Sequence, residues 1–191
     1  ILTAARSGEV RNAKWSEIDG TVWTLPGERT KTGKPLRIPL SAEAQSVLNG
    51  LRYVDDTLVF PARTIGPDGK AKPLSVNAFR TLYSRMHVTG ITTHGFRSTF
   101  RDWCSEAGQV SREVAEEALG HSLGQVERAY RRSDLFEARN EVMQAWASFL
   151  SETKPMDSGA RRHGQTASDS ESSDSLSRVQ NVTDSVNTLR F

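Results

Sequence analysis

The sequence predicts an α+β fold, mainly α with a small antiparallel β-sheet, on three observations. Two short runs of β-forming residues, 21–25 and 36–40, flank a basic turn. From Ser75 to Leu150 the chain reads as successive helical segments parted by glycines or capping residues. Of 191 residues, 36% are hydrophobic and 7% aromatic, which is enough for one modest core.

Taken in order, residues 8–18 have helical spacing, with Val10, Ala13 and Ile18 facing inward and Trp15 close by. The strands 21–25 and 36–40 enclose Thr30-Lys-Thr-Gly-Lys34, whose glycine suits a turn, so a basic hairpin is expected. Ser41 is placed to cap a helix running to Leu51, residues 57–60 form a third candidate strand, and Gly66-Pro-Asp-Gly69 is a loop tip. Helices are expected over 75–86, 94–107, 111–119, 125–132 and 134–150. In the last, Leu135, Ala138, Val142, Trp146 and Phe149 recur at helical spacing, and Asp134 with Glu137 has the form of a capping box.

After Pro155 the composition turns to Ser, Asp, Gly, Gln, Thr and Asn with few large apolar residues, too little to offset ordering entropy. The expected organisation is therefore one folded domain over 1–154 and a low-complexity, disordered tail over 155–191. Residues 1–155 carry 21 Lys and Arg against 18 Asp and Glu, so any electrostatic case rests on where the arginines gather. The single cysteine, Cys104, excludes an internal disulfide and a cysteine-cluster metal site, and reads as a small buried hydrophobe. No run has the length of a membrane span and no signal-peptide pattern is present, so a soluble cytoplasmic protein is expected. The chain opens on Ile1-Leu-Thr-Ala-Ala without an initiator methionine, which reads as a fragment lacking its N-terminal part.

Polar residues suited to chemistry recur along the folded part. Arg6 stands just before a helix with Glu9 one turn on, and Lys31 and Lys34 lie in the hairpin. His94 and Arg97 open another helix three residues apart, and His121 is followed nine residues later by Tyr130 beside Arg128, Arg131 and Arg132. Two arginines, a lysine, two histidines and a tyrosine, without a cluster of acidic ligands, suit an anion and a nucleophile. A phosphodiester fits, because guanidinium forks match phosphate oxygens and phosphoryl transfer needs mainly positioning and charge neutralisation.

Arg6-Ser-Gly-Glu9, the hairpin Lys31, His94-Gly-Phe-Arg97, Leu119-Gly-His121 and Tyr130, in that order, resemble the catalytic domain of a tyrosine recombinase of the prophage-integrase type. Trp15-Ser-Glu-Ile-Asp19 and Met143-Gln-Ala-Trp146 resemble the same branch. The resemblance covers roughly residues 1–152 and implies a tyrosine-recombinase catalytic-domain fold. It also implies cleavage and rejoining of DNA through a 3′-phosphotyrosyl link on Tyr130. Arg6 and Arg97 would clamp the phosphate, His94 and His121 would hydrogen-bond to it and assist proton transfer, and Lys31 would protonate the leaving 5′-oxygen. Glu9 would orient Arg6 or a histidine. Neither cofactor nor metal is implied. The implied partners are double-stranded DNA attachment sites, three further protomers on synapsed DNA, and accessory DNA-bending or directionality proteins in a bacterial host.

Each residue alone has a plainer reading: a surface charge for Arg6, a solvated turn for Lys31 and Lys34, a cap or core histidine for His94, a helix end for His121, and a packed aromatic for Tyr130. Tyr53 and Tyr83 are read as such aromatics, and Trp103, Trp146 and Phe100 as core. Arg128, Arg131 and Arg132 form either a solvated face or contacts to DNA phosphates, where counterion release would favour them. Three other functions compete at this level: a type IB topoisomerase-like nicking and rejoining enzyme, a non-catalytic DNA-binding remnant, and a metal-dependent hydrolase on His94 and His121. The last lacks a carboxylate to accompany His94.

Overall fold

A computed structural model describes residues 1–52, 54–121 and 134–152. Within them the chain forms six helices and five strands, in the order α1 (Ser7–Arg11), β1 (Ile18–Asp19), β2 (Val22–Leu25), β3 (Leu36–Pro39), α2 (Ala42–Leu51), β4 (Pro61–Ile65), β5 (Ala71–Pro73), α3 (Ala78–Arg85), α4 (Gly95–Glu106), α5 (Arg112–Ala118) and α6 (Phe136–Glu152). The architecture is α+β, as the alternation and helical spacing predict. The expected helix 125–132 lies outside the described residues.

The strands β1, β2 and β3 make an antiparallel sheet with Trp23 opposite Ile38 and Leu25 opposite Leu36. Trp23 and Leu25 alternate inward from β2 and meet Ile38 and Leu40, so one face of the sheet is core. Ser41 caps α2 as expected: it is fully buried, and its Oγ accepts the Ala44 N–H at 3.2 Å. Ala44, Leu48 and Leu51 then lie against the sheet.

Two expectations fail here. Residues 8–18 are not one helix: α1 ends at Arg11, and Trp15–Glu17 is a 3₁₀ turn leading into β1. Tertiary hydrogen bonds outweigh the helical spacing, since Ala13 O accepts from Val59 N (2.9 Å) and Trp15 N donates to Thr57 O (3.0 Å). Residues 57–60 correspondingly supply only a single bridge, Lys14 to Leu58, and no strand. The strands are β4 and β5, paired antiparallel around the expected loop tip at Gly66–Gly69.

A second cluster joins the helices. On α4 the buried residues fall at Phe96, Arg97, Thr99, Phe100, Trp103 and Cys104, one stripe of about two per turn. From α6, Val142, Met143, Trp146 and Leu150 face that stripe, with Ala115 and Ala118 of α5 between. Trp146 lies 5.1 Å from Trp103 and 5.5 Å from Phe100, edge-on to the latter, and Phe149 stacks on it at 5.6 Å. Each such aromatic buries on the order of 150–250 Å², so this cluster is a main source of the fold's stability. Cys104 is fully buried within it, and burial pushes its thiol up to about 12, so it is an inert packing residue. Tyr83 is also buried, with its hydroxyl 3.1 Å from Thr93 Oγ1 rather than at the surface. Tyr53 lies outside the described residues.

Candidate anion site at the end of α5

The last turn of α5 is where the site is built. The helix closes with the Gly120 N–H on Glu117 O (3.0 Å) and the His121 N–H on Glu116 O (3.0 Å), the two reversed bonds of a Schellman motif. That motif needs a left-handed residue, and Gly120 supplies it with φ +60°. A Cβ at Gly120 would also come within 2.7 Å of Leu36 Cδ2, so that methyl would have to shift. The reversal leaves the Leu119 and Gly120 carbonyls pointing out of the helix end.

Both carbonyls are taken by arginines from elsewhere in the chain. Arg6 Nη2 donates to Gly120 O at 3.2 Å, and Arg97 Nη2 donates to Leu119 O at 2.7 Å. Arg97 is buried on α4 and also donates through Nη1 to Ala4 O, the carbonyl of a residue held at φ 47°. Arg6 keeps a quarter of its side chain exposed. Its direction is set by Glu9: Oε1 accepts from Arg6 Nη1 at 2.9 Å, while Oε2 accepts from the Arg6 backbone N–H at 2.7 Å. Glu9 therefore caps α1 and holds Arg6 at once, and no hydrogen bond joins it to a histidine among the described residues.

His121 completes the cluster. Its Nε2 lies 3.2 Å from Arg97 Nη2 and its Nδ1 2.6 Å from Glu116 Oε2. Glu116 in turn accepts from Arg101 Nε at 2.7 Å through its other oxygen. Burial raises the Glu116 carboxyl, but hydrogen bonds from Arg101 and His121 outweigh it and hold the group below its ordinary value. Burial, then the neighbouring Arg6 charge, lowers Arg97 to about 10, with Glu9 acting the other way. At neutral pH both guanidinium groups remain charged, and two like charges are held close together. An oxyanion beside them would relieve that repulsion and accept from the N–H groups that Glu9 and the carbonyls leave over.

Arg6, Arg97, His121 and Glu9 are thus brought together. His94 is not joined to them by a hydrogen bond among the described residues; it is exposed at the N-cap of α4, while Arg97 three residues on turns inward. Lys31 and Lys34 are likewise exposed, on the long connection between β2 and β3. Both ends of that connection lie against the cluster: Arg29 donates to Glu9 O at 2.7 Å, and Leu36 abuts Gly120. Tyr130, Arg128, Arg131 and Arg132 lie outside the described residues. Glu116 and Arg101 carry no role in the sequence reading. Their link to His121 runs across the Schellman reversal, a contact that no simple helical spacing announces.

In this α+β fold two arginines and a histidine meet at one helix end, a candidate site for an oxyanion. Comparison with known proteins supplies the family: the profile of the Phage integrase family matches residues 1–135, a span that includes every residue from Arg6 to Tyr130. The chain belongs to that family, and its fold is that of the tyrosine-recombinase catalytic domain. It is 34% identical over 166 residues to "Prophage integrase IntA" of Escherichia coli (strain K12), covering 84% of this chain and 38% of that protein. It is 33% identical over 156 residues to "Prophage integrase IntZ" of the same organism, with 78% and 37% covered. It is 31% identical over 171 residues to "Integrase" of Enterobacteria phage P4, with 78% and 38% covered. The chain spans about two fifths of the length of these relatives. No solved structure matches it.

Proposed function

We propose that this chain is the catalytic part of a site-specific DNA recombinase that cuts and rejoins strands for integration and excision of a prophage or genomic island. The observation that carries the reading is the convergence of Arg6, Arg97 and His121 on the end of α5, which suits a single phosphodiester. Tyr130 attacks the phosphorus, the phenolic oxygen becomes bonded to the 3′-phosphate, and the 5′-oxygen leaves. Arg6 and Arg97 neutralise the charge that gathers on the non-bridging oxygens, where preorganised donors act most strongly. His94 and His121 hydrogen-bond to the phosphate and assist proton transfer, and Lys31 delivers a proton to the leaving 5′-oxygen from the connection between β2 and β3. A hydroxyl of the partner strand later reverses the step.

The partners in this reading are two DNA attachment sites carrying four protomers, with Lys34, Arg128, Arg131 and Arg132 on backbone phosphates and accessory proteins bending the DNA or setting direction. Its place is the cytoplasm of a bacterial host. Among the described residues no helix is long and apolar enough to cross a membrane. The test uses a nicked duplex bearing the element's own attachment site and the full-length protein that contains this chain. A covalent adduct is expected with the wild type and none with Tyr130→Phe. An adduct of undiminished yield in the Phe variant would overturn the assignment of the nucleophile. Exchange between paired sites, rather than relaxation of a single supercoiled plasmid, separates recombinase from topoisomerase.

A further inference from the structure

Glu116 touches the site more directly than any other side chain that the reading above leaves without a role. Its carboxylate bridges two elements: Oε1 accepts from Arg101 Nε of α4, and Oε2 meets His121 Nδ1 beyond the end of α5. Arg101 is one turn after Arg97 on the same helix, so the contacts close a circuit from Arg97 to His121, Glu116, Arg101 and back to α4. Glu116 also holds the His121 backbone through its carbonyl, which fixes where the ring starts.

The hydrogen inventory of this circuit has one solution. A guanidinium only donates and an ionised carboxylate only accepts. With Arg97 on Nε2 and Glu116 on Nδ1, a neutral His121 carries its hydrogen on Nδ1 and its lone pair on Nε2. Which nitrogen is protonated is set by the bond the other makes. His121 has 44% of its side chain exposed, so packing alone does not impose that choice; the two charged neighbours do. Among the described residues the cluster's further charges are Arg6, on the adjoining Gly120 carbonyl, and Glu9 behind Arg6.

We infer that Glu116, held by Arg101, is a positioning residue that locks His121 in the Nδ1–H tautomer and so leaves Nε2, on the side of the arginines, as the nitrogen that takes up a proton and then donates it to the phosphate. The inference rests on the proposed function in taking that phosphate as the ligand. When Nε2 becomes protonated, the carboxylate remains on Nδ1–H and balances the added charge, so the ring carries a proton without turning. The competing account is a salt bridge that merely ties α4 to α5 through Arg101.

The two accounts part on the histidine itself. In the ¹⁵N-histidine-labelled 191-residue chain, two-bond ¹⁵N–¹H correlation at mildly alkaline pH reads the tautomer of each ring, and His121 is assigned by its loss in His121→Asn. The wild type should show Nδ1–H alone, and Glu116→Ala, in which only Arg97 still directs the ring, should add a clear Nε2–H population. Glu116→Leu, a good helix former that keeps the bulk, should give the same mixture if the alanine variant is too unstable. In the full-length protein, adduct formation by either variant should slow on the order of ten- to a hundredfold, the usual effect of removing a partner that orients a functional-site histidine. DNA affinity should stay within about twofold, because Arg6 and Arg97 are retained. An unchanged Nδ1–H signal in a folded variant, or a mixture of tautomers with an unchanged rate, would overturn the inference. A wild-type protein that forms no adduct would count against the proposed function, while the tautomer measurement would still decide the role of Glu116.

Discussion

Gly120 shows how one residue decides whether the site exists. Its backbone lies at φ +60°, where an L side chain costs roughly 1–2 kcal/mol, and a Cβ would press on Leu36 Cδ2 at 2.7 Å. The Leu36 methyl is the end of a side chain with some freedom, so the clash relaxes in part. Gly120→Ala is therefore expected to cost about 1.5–3 kcal/mol in urea unfolding. Gly120→Asn, which tolerates the left-handed region, should recover the backbone share but not the contact. Equal losses in the two variants would show that the backbone conformation is unstrained. The glycine was legible in Leu119-Gly-His121 as part of a motif, but its reason was not: the close approach involves β3, more than eighty residues earlier in the chain. The contact of Glu116 with His121 was hidden for a related cause. On a helix diagram it is one of two adjacent glutamates, and only the turn at Gly120 carries His121 back to it.

At the scale of elements, legibility followed the strength of local signals against tertiary ones. The buried stripe of α4 and the cap at Ser41 were readable because sequence spacing and packing agree there. The stretch 8–18 was misread because Ala13 and Trp15 bond to residues 57–59, a partner invisible to any window of the sequence. The strands β4 and β5 were missed because Pro61 and Pro73 mark their ends and no apolar–polar alternation runs along them, so only the turn between them stood out. In α6, Arg139 sits where the helical spacing leads one to expect an apolar residue. It is 1% exposed, donates to Asp134 O at 2.8 Å, to Asp134 Oδ2 at 3.0 Å and to Arg37 O, and lies 5.7 Å from the Phe136 ring. These bonds fasten the start of α6 to β3. Arg139→Ala should cost about 2–3 kcal/mol, less than a fully buried ion pair because Asp134 is partly exposed and can rehydrate. Arg139→Met, close in volume, should recover at least half of that in thermal or urea unfolding. A methionine variant as unstable as the alanine one would mean that the bonds, not the packing, dominate.

Over the whole molecule the site lies at the seam between two clusters, one made by α4, α5 and α6 with Ala4, the other by the sheet, α2, Ala13 and Val59. Leu2 packs against both, and the following residues lead directly to Arg6. The arginines therefore meet only when both halves have formed, which couples the geometry of the anion site to the folding of the entire unit. Within the described residues the last member of either cluster is Leu150. Residues 155–191 are rich in Ser, Asp and Asn and poor in large apolar side chains, a composition that offers little further burial. We accordingly expect a chain ended at residue 154 to unfold in urea with its midpoint within about 0.3 M of the 191-residue chain and with the same slope. The slope is the sharper reading, since it scales with the surface exposed on unfolding. A steeper transition and a higher midpoint in the longer chain would mean that residues beyond 154 pack on the folded unit, and the boundary would then have to move toward the C-terminus.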